Sequence, residues 1–335
     1  MKNLVCALMA SAVATSALAL DPMPKEAGFA ATLALGAAGG KVESNFLARI
    51  LGIDLSDSTI YDLSSPGDTK IISPTFDYNI GYTFDSKKTR ISLASAAEAS
   101  IDFSSNTTLT LRHDFDSVGN VELAALAPPV ARVDVWENPY LTNQKRRRTE
   151  LASSGARVTW DKIFGSNFEV IATVKKKDID EERSGQNLGL SAAQEKLLDR
   201  GGDITVLELG YEFVLGDGRN MIRPSFAYVD YDLDGRAMAQ DGYRLGFTHM
   251  YIGKDFRWLN RGLYESLDGD QVNPIFNKSN NADVYIFASE LRFPNPLGWD
   301  KWTATTGIQW GDNDADIDFN KSSTLLFVGR VVRRF

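Results

Sequence analysis

Apolar and aromatic residues recur at every second position in several stretches of this chain. In the clearest stretch, polar residues or glycine alternate with Phe76, Tyr78, Ile80, Tyr82 and Phe84. Successive side chains of a β-strand point to opposite faces, so a period of two predicts a strand with one apolar face. Aromatic residues at both ends of such a stripe are typical of a strand whose apolar face lies in lipid.

The same alternation occurs along most of the chain. It is clear in 207–215, 243–251, 285–293, 302–310 and 324–335. Weaker candidate strands are 28–38, 89–98, 107–115, 120–128, 150–160, 167–176, 220–230 and 256–263. Short and long connections alternate between these strands, as they do in outer-membrane barrels. We therefore predict an all-β fold, a transmembrane antiparallel up-and-down β-barrel of about 14 strands. Twelve strands is the alternative, if 28–38 or 256–263 does not pair in full.

Both ends of the sequence carry features of export. Residues 1–19 combine Lys2, an apolar run and the small-residue site Ala17-Leu18-Ala19, which predicts a signal peptide cleaved after Ala19. The only cysteine, Cys6, lies within it. We expect residues 20–335 to form the barrel, with both termini in the periplasm. The last strand ends in Phe335, a terminal aromatic that we expect the barrel assembly machinery to read.

Composition argues against a membrane-spanning helix and against nucleic acid as a partner. Outside the signal, no apolar run reaches the roughly 18–20 residues of a spanning helix. The 335 residues include 44 acidic and 36 basic side chains, giving a net charge of −8. An acidic chain argues against nucleic acid as a partner. We expect outer-membrane lipids and lipopolysaccharide to surround the barrel.

Charged residues on the non-apolar face of the predicted strands define a candidate lumen. A polar interior of mixed sign suits a water-filled pore, or in a narrower barrel a dry network of ion pairs. The candidates for lumen and selectivity residues are Arg90, Arg112, Arg157, Arg223, Arg244, Arg292, Arg330, Glu169, Glu208, Glu212 and Glu290.

Two predicted outer loops, 130–149 and 177–203, carry candidate ligand residues. Trp136 and Tyr140 could stack on sugar rings, or form the packing core of their own loop. Arg146 and Arg147 belong to a basic run that could bind an anionic ligand, or simply be solvated. In the second loop, Ser191-Ala-Ala-Gln194 is a capping box that predicts a short helix. That helix either lies at the pore mouth or caps its own loop.

Acidic residues at alternate positions suggest a possible calcium site. Asp230, Asp232, Asp234 and Asp241 are spaced like the start of an EF-hand loop, with Gly235 allowing a bend. The flanking helices of an EF-hand are missing, and a solvated hairpin loop is the alternative interpretation. No other cofactor is predicted.

Signals for an enzyme are weak. The chain has two histidines, His113 and His249. His113 is followed by Asp114, but adjacent residues of a strand face opposite sides and cannot pair directly. We find no nucleophile, base and orienting residue in a suitable pattern, so an outer-membrane hydrolase is the least favoured function.

The sequence resembles a family of exported Gram-negative outer-membrane proteins classed as a domain of unknown function. The resemblance is carried by Trp136-Glu-Asn-Pro-Tyr-Leu-Thr142, Glu182-Arg-Ser-Gly185, Leu190-Ser-Ala-Ala-Gln194 with Leu198-Asp-Arg200, Asp234-Gly-Arg-Ala-Met238 and Asn273-Pro-Ile-Phe-Asn-Lys278. These stretches are spread over most of the chain and all lie in predicted outer loops. The resemblance implies an outer-membrane barrel and brings no catalytic residue or ligand.

Together these features favour a channel for small hydrophilic solutes, such as saccharides, narrowed by the loops 130–149 and 177–203. The alternative is a closed barrel that acts as a structural or surface-interaction module through its outer loops. Small residues such as Ala37 and Ser95 could mark a subunit interface, but a monomer is slightly favoured over a trimer.

Overall fold

The computed structural model of the chain describes residues 23–50, 52–97, 105–128 and 132–335. The predicted signal peptide with Cys6 lies outside these residues, as does most of the predicted loop 99–106.

The described residues form a closed antiparallel barrel of 14 strands. The strands are β1 Gly28–Glu43, β2 Asp68–Thr83, β3 Thr89–Ala97, β4 Ser105–Asp114, β5 Asn120–Ala127, β6 Arg148–Asp161, β7 Phe168–Ile179, β8 Gly202–Tyr211 continued by Phe213–Leu215, β9 Asn220–Leu233, β10 Gln240–Ile252, β11 Arg257–Gly269, β12 Ala282–Pro294, β13 Trp302–Ala315 and β14 Ser322–Arg334. Each strand pairs with its neighbours in the chain, and β14 pairs with β1 to close the barrel. The prediction of 14 strands is confirmed, because β1 and β11 are both paired along two edges.

The outward face of the barrel is apolar. Leu207 and Leu209 on β8, Leu245 on β10 and Phe287 on β12 are all exposed there, as the period-two pattern predicts. Tyrosines pair across strands near the end with the long loops, for example Tyr264 with Tyr285 at 5.2 Å between ring centroids. A closed barrel pairs its backbone groups between strands and leaves no sheet edge, and an apolar belt on its outward face contacts lipid. A bilayer requires both properties. The protein is therefore an outer-membrane β-barrel.

The strands are joined by short turns at one end and long loops at the other. The short turns hold 3-10 helices at Asp116–Val118, Ile163–Gly165 and Pro296–Gly298. In the loops, the predicted helix is present as α1, Ala192–Lys196, with both hydrogen bonds of the Ser191 and Gln194 capping box. A further 3-10 helix, Asp318–Asn320, lies in the loop before β14. No helix in the described part of the chain is long and apolar enough to cross a membrane.

Loop strands extend the barrel wall beside β6. The loop strand Val133–Trp136 pairs with the start of β6, beyond the residues of β6 that pair with β5. The strand Leu47–Ile50 pairs with Val133–Trp136, and Ile53–Asp54 pairs with Leu47–Ile50. Loop strands therefore continue the wall at the end with the long loops. A separate hairpin joins Val272–Asn273 to Lys278–Ser279.

Candidate functional site

The long loops meet in a packed cap over one mouth of the barrel. At its centre, Tyr140 has no exposed surface. Its ring centroid lies 5.1 Å from that of Phe319, 6.1 Å from Phe46 and 6.1 Å from Phe276. These rings come from four different loops, so one aromatic cluster ties the loops together. We call the cluster, with its neighbours Leu198 and Met238, the loop cap.

A second apolar cluster anchors the cap to the barrel. Leu47 and Ile50 of one loop strand, with Val133 and Val135 of the next, pack against inward-facing wall residues. These wall residues are Ala38, Val42, Ile71, Leu326 and Val328 of β1, β2 and β14. The loop strands are thus fixed by burial on the inner side of the wall and are not free to swing as an isolated loop.

The stretches that carry the family resemblance are brought together in the cap. Arg200 donates from Nη2 to the carbonyl oxygen of Trp136 at 2.7 Å and from Nε to Glu182 Oε2 at 2.9 Å. Tyr140 donates to Met238 Sδ at 3.6 Å. Ile275 and Phe276 pack against the same cluster. Segments far apart in the sequence therefore share one packed core, which explains why loops rather than strands carry the resemblance.

Three of the four predicted loop ligand residues have structural roles. Trp136 and Tyr140 are fully buried, so neither ring is available to stack on a sugar in this conformation. Arg146 is also buried and donates from Nη1 to the carbonyl oxygens of Asn45 and Pro139, at 3.0 and 3.1 Å. Burial lowers the pKa of Arg146 to about 10, so the guanidinium stays charged at neutral pH. Arg147 is the exposed member of the four.

A cavity of about 790 Å³ opens beside the cap. Trp136 is among its lining residues, and the Arg146 guanidinium carbon lies 4.4 Å from the centroid of the Trp136 ring. Arg49, Lys145, Arg147 and Arg148 add four more cations to its lining. Asp54 and Asp57 are the acidic residues there, and Asp54 is paired with Arg49 at 2.7 Å and with Arg148 at 2.9 Å. The lining therefore carries a local positive charge on an otherwise acidic protein.

Inside the barrel, the predicted lumen residues form ion pairs along the wall. Arg112 pairs with Asp161 at 2.9 Å. Arg244 pairs with Glu265, with Nε 2.6 Å from Oε1. Arg244 and Glu265 lie on the neighbouring strands β10 and β11. Arg112 and Asp161 lie on β4 and β6, with β5 between them, so neither pair crosses to the opposite wall.

Two larger groups of ion pairs also join strands that are adjacent or separated by one strand. Arg223 contacts both Glu169 and Glu208, the latter at 2.8 Å. Arg330 contacts Asp77 at 2.8 Å and also Glu290. Glu290 in turn accepts from Arg292 Nε at 2.5 Å. Because each carboxylate is close to a guanidinium, burial of these charges is compensated.

Glycines let the arginines lie flat against the wall. A Cβ on Gly210 would lie 2.6 Å from Arg223 Nη2, and a Cβ on Gly81 would lie 2.7 Å from Arg90 Nη2. Arg90 also donates to Asn79 Oδ1 at 3.3 Å. The missing side chains create the room in which the guanidinium groups pack along the strands.

The remaining predicted lumen residues are Arg157 and Glu212. Arg157 donates from Nε to Thr173 Oγ1 at 2.9 Å on the neighbouring strand. Glu212 lies between the two segments of β8, where its backbone N–H donates to the Asn167 carbonyl oxygen at 3.1 Å. Glu212 therefore occupies an interruption in the strand next to a short turn.

Sequence reasoning missed several charged wall residues. Asp161 and Glu265 fall just beyond the predicted strands 150–160 and 256–263, but both lie in strands of the structure and pair with predicted lumen arginines. Asp77 lies on the polar face of the clearest predicted strand, and Arg261 lies in one of the weakest. Extending the period of two by a few residues would have found Asp161 and Glu265.

The predicted calcium ligands are not gathered. Among the described residues, no group of three or more acidic, histidine or cysteine side chains could hold a metal ion. Asp232 pairs with Arg236 at 2.8 Å, and Asp241 accepts from the Tyr228 hydroxyl at 3.2 Å. Calcium binding by this segment, including Asp230 and Asp234, stays a prediction that requires the segment to rearrange.

The two histidines contact no carboxylate through a described hydrogen bond. His113 Nδ1 lies 2.7 Å from Thr89 Oγ1, and His249 lies between Asn220 and Asn260. Neither arrangement is a nucleophile activated by a base that a third residue orients. The described histidines therefore provide no support for a hydrolase.

Residues 28–330 match the family model described as a protein of unknown function, DUF2860. The chain belongs to this family. No curated protein matches the chain. DUF2860 thus accounts for nearly the whole barrel, including every loop of the cap.

Several solved structures are similar to this DUF2860 protein in outline. A FadL homologue from Pseudomonas aeruginosa has a TM-score of 0.46 at 9% identity, with 91% of this chain and 90% of the other covered. The outer membrane channel DcaP of Acinetobacter baumannii has a TM-score of 0.44 at 9% identity, with 91% and 97% covered. An outer membrane channel from Pseudomonas putida F1 has a TM-score of 0.44 at 12% identity, with 94% and 98% covered.

Proposed function

We propose that the protein is an outer-membrane channel for small hydrophilic solutes, saccharides among them, and that the loop cap closes its outer mouth in this conformation. The observation that carries the proposal is the direction of the ion pairs in the wall. In each of these pairs, the arginine binds a carboxylate on a nearby strand and does not reach across the barrel. The arginines are Arg112, Arg223, Arg244 and Arg330.

Barrel width supports the same proposal. Eight strands enclose a space that side chains just fill, whereas barrels of about 16 leave an aqueous channel. A barrel of 14 strands is close to the second case. With Arg223 packed flat over Gly210, polar side chains line the inward face of the wall. Water and hydrophilic solutes suit such a surface.

Single-channel recording in a planar bilayer tests the proposal. We expect the refolded mature protein to show infrequent openings, since the cap occupies the mouth, and the reversal potential in a salt gradient to give the sign preference. Liposome swelling with saccharides then measures uptake of neutral solutes. A heat-modifiable, folded barrel that carries no current, even after the cap has been loosened, would refute the channel.

A second function is favoured by the basic cavity beside the cap. Lys145 and Arg147 are exposed at its rim, and phosphate groups of lipopolysaccharide lie in the outer leaflet that surrounds the barrel. In this alternative the loops form a surface-interaction module that docks on anionic lipid.

Removing the two exposed charges tests this second function. We expect Lys145→Ala with Arg147→Ala to weaken binding to lipopolysaccharide several-fold, because charge-assisted contacts to phosphate are lost. Binding is measured with intact and dephosphorylated lipopolysaccharide. Lys254→Ala, an exposed lysine at a short turn on the other end of the barrel, is the matched control. Equal binding by the double variant and the control would exclude docking through this cavity.

A further inference from the structure

Arg261 belongs to a line of long polar side chains on the inner wall. In the strand register, Arg223 on β9 is beside Thr248 on β10, and Thr248 is beside Arg261 on β11. Arg261 is in turn beside Ala288 on β12, and Ala288 is beside Gln309 on β13. Directly paired residues in an antiparallel sheet share a face. Arg261 and Gln309 therefore both face the lumen, with only the methyl group of Ala288 between them.

The donors of this pair are buried and unused. Within the described residues, Nε and Nη2 of Arg261 and Nε2 of Gln309 have no hydrogen-bond partner and almost no exposed surface. By contrast, Arg112, Arg223, Arg244 and Arg330 each have a carboxylate partner. A buried guanidinium with free donors is costly, because its hydration is lost and nothing replaces it.

The charges around Arg261 leave a positive excess. The groups that act on it electrostatically are Arg292, Glu290 and Arg330. Glu290 is already shared by Arg292 and Arg330. Asp77 is also engaged with Arg330. No described carboxylate is left for Arg261, so an incoming anion would find an unused fork of donors and a favourable local potential.

We propose that Arg261 and Gln309 form an anion-binding site in the lumen that takes the carboxylate or phosphate group of a small hydrophilic solute. Strand spacing puts the two backbones about 10 Å apart, so their long side chains can approach one group above Ala288. Arg261 supplies two parallel N–H donors, the geometry that recognises carboxylate and phosphate oxygens. This inference rests on the proposed channel function and names its preferred solute class as anionic.

Binding of inorganic phosphate tests the site without requiring a current. Purified protein in detergent is titrated with phosphate against chloride at matched ionic strength, and binding is followed by calorimetry and by the rise in melting temperature. Arg261→Gln removes the charge and keeps much of the side-chain length. We expect it to weaken phosphate binding about tenfold or more, as expected for loss of a charged hydrogen-bond donor.

Two further variants keep the test specific. Arg257→Gln removes the same charge from the same strand at an exposed position near a short turn, and we expect it to bind phosphate like the wild type. Gln309→Leu removes the second donor alone and should weaken binding less than Arg261→Gln. Wild-type affinity in Arg261→Gln, or an equal loss in Arg257→Gln, would overturn the site.

Channel recordings separate this inference from the proposed function. Phosphate and glucuronate added to one side should block the wild-type current, and glucose should not. Arg261-dependent phosphate binding in a protein that never conducts would retain the site and refute the channel. Current that no anion blocks, together with unchanged phosphate binding in Arg261→Gln, would retain the channel and refute the site.

Discussion

Tyr140→Ala is expected to open the loop cap and raise the fraction of time that the channel conducts. Tyr140 is the ring against which Phe46, Phe276 and Phe319 pack, and it is fully buried. Replacing a buried aromatic residue by alanine costs about 3 kcal/mol or more. If that loss falls on the closed cap, the equilibrium between closed and open loops shifts by a factor of about 100 or more.

Single-channel recording and limited proteolysis of the outer loops measure this effect together. Tyr61→Ala is the matched control, since Tyr61 lies in the same outer loop as Phe46 and is 77% exposed. We expect the control to gate and resist protease like the wild type. A Tyr140→Ala barrel whose loops become cleavable while its conductance stays at zero would show that the lumen is closed below the cap.

Arg223→Leu is expected to be the most destabilising single change in the barrel wall. The Arg223 side chain is 8% exposed and contacts the side chains of Glu169, 7% exposed, and Glu208, 16% exposed. Removing the cation leaves two nearby carboxylates without compensation, which costs about 3–5 kcal/mol for buried pairs. We expect a large fall in the denaturant midpoint and in the temperature at which the barrel becomes heat-modified.

The adjacent turn offers a matched control for this change. Arg219 pairs with Asp217 at 2.9 Å, but its side chain is 60% exposed, so Arg219→Leu should leave stability close to that of the wild type. Adding Glu169→Gln and Glu208→Gln to Arg223→Leu should recover part of the loss. A cost for Arg223→Leu as small as that of the control would show that water solvates both carboxylates freely.

Sequence patterns located the strands but not their outer ends. The clearest predicted strand began at Phe76, whereas β2 begins at Asp68. The early residues of β2 pair with β1, but outward side chains such as Asp68 and Lys70 are polar. Beyond the lipid, the outward face has no need to be apolar. The period of two therefore disappears although the strand continues.

The roles of the loop residues depended on contacts between distant segments. For Trp136 and Tyr140, the sequence left open whether they bind a ligand or pack within the cap. Trp136 donates from Nε1 to Ser56 Oγ at 2.9 Å, and Tyr140 packs against Phe319, a contact that no local pattern signals. The sequence also gave no sign of the unused donors of Arg261, because only the strand register with Ala288 and Gln309 shows what lies around them.

By itself, the sequence determined the fold class, the positions of the strands and the face that they turn to the membrane, and it left 12 or 14 strands open. Each side chain that faces lipid must itself be apolar, so the membrane-facing positions are visible in the sequence as a local alternation. Only the tertiary structure decided which charges pair in the wall, which donors stay free and which loops meet over the mouth. These properties depend on strand register and on packing between loops far apart in the chain, and a buried group is stabilised or left unsatisfied only by the neighbours that the fold brings to it.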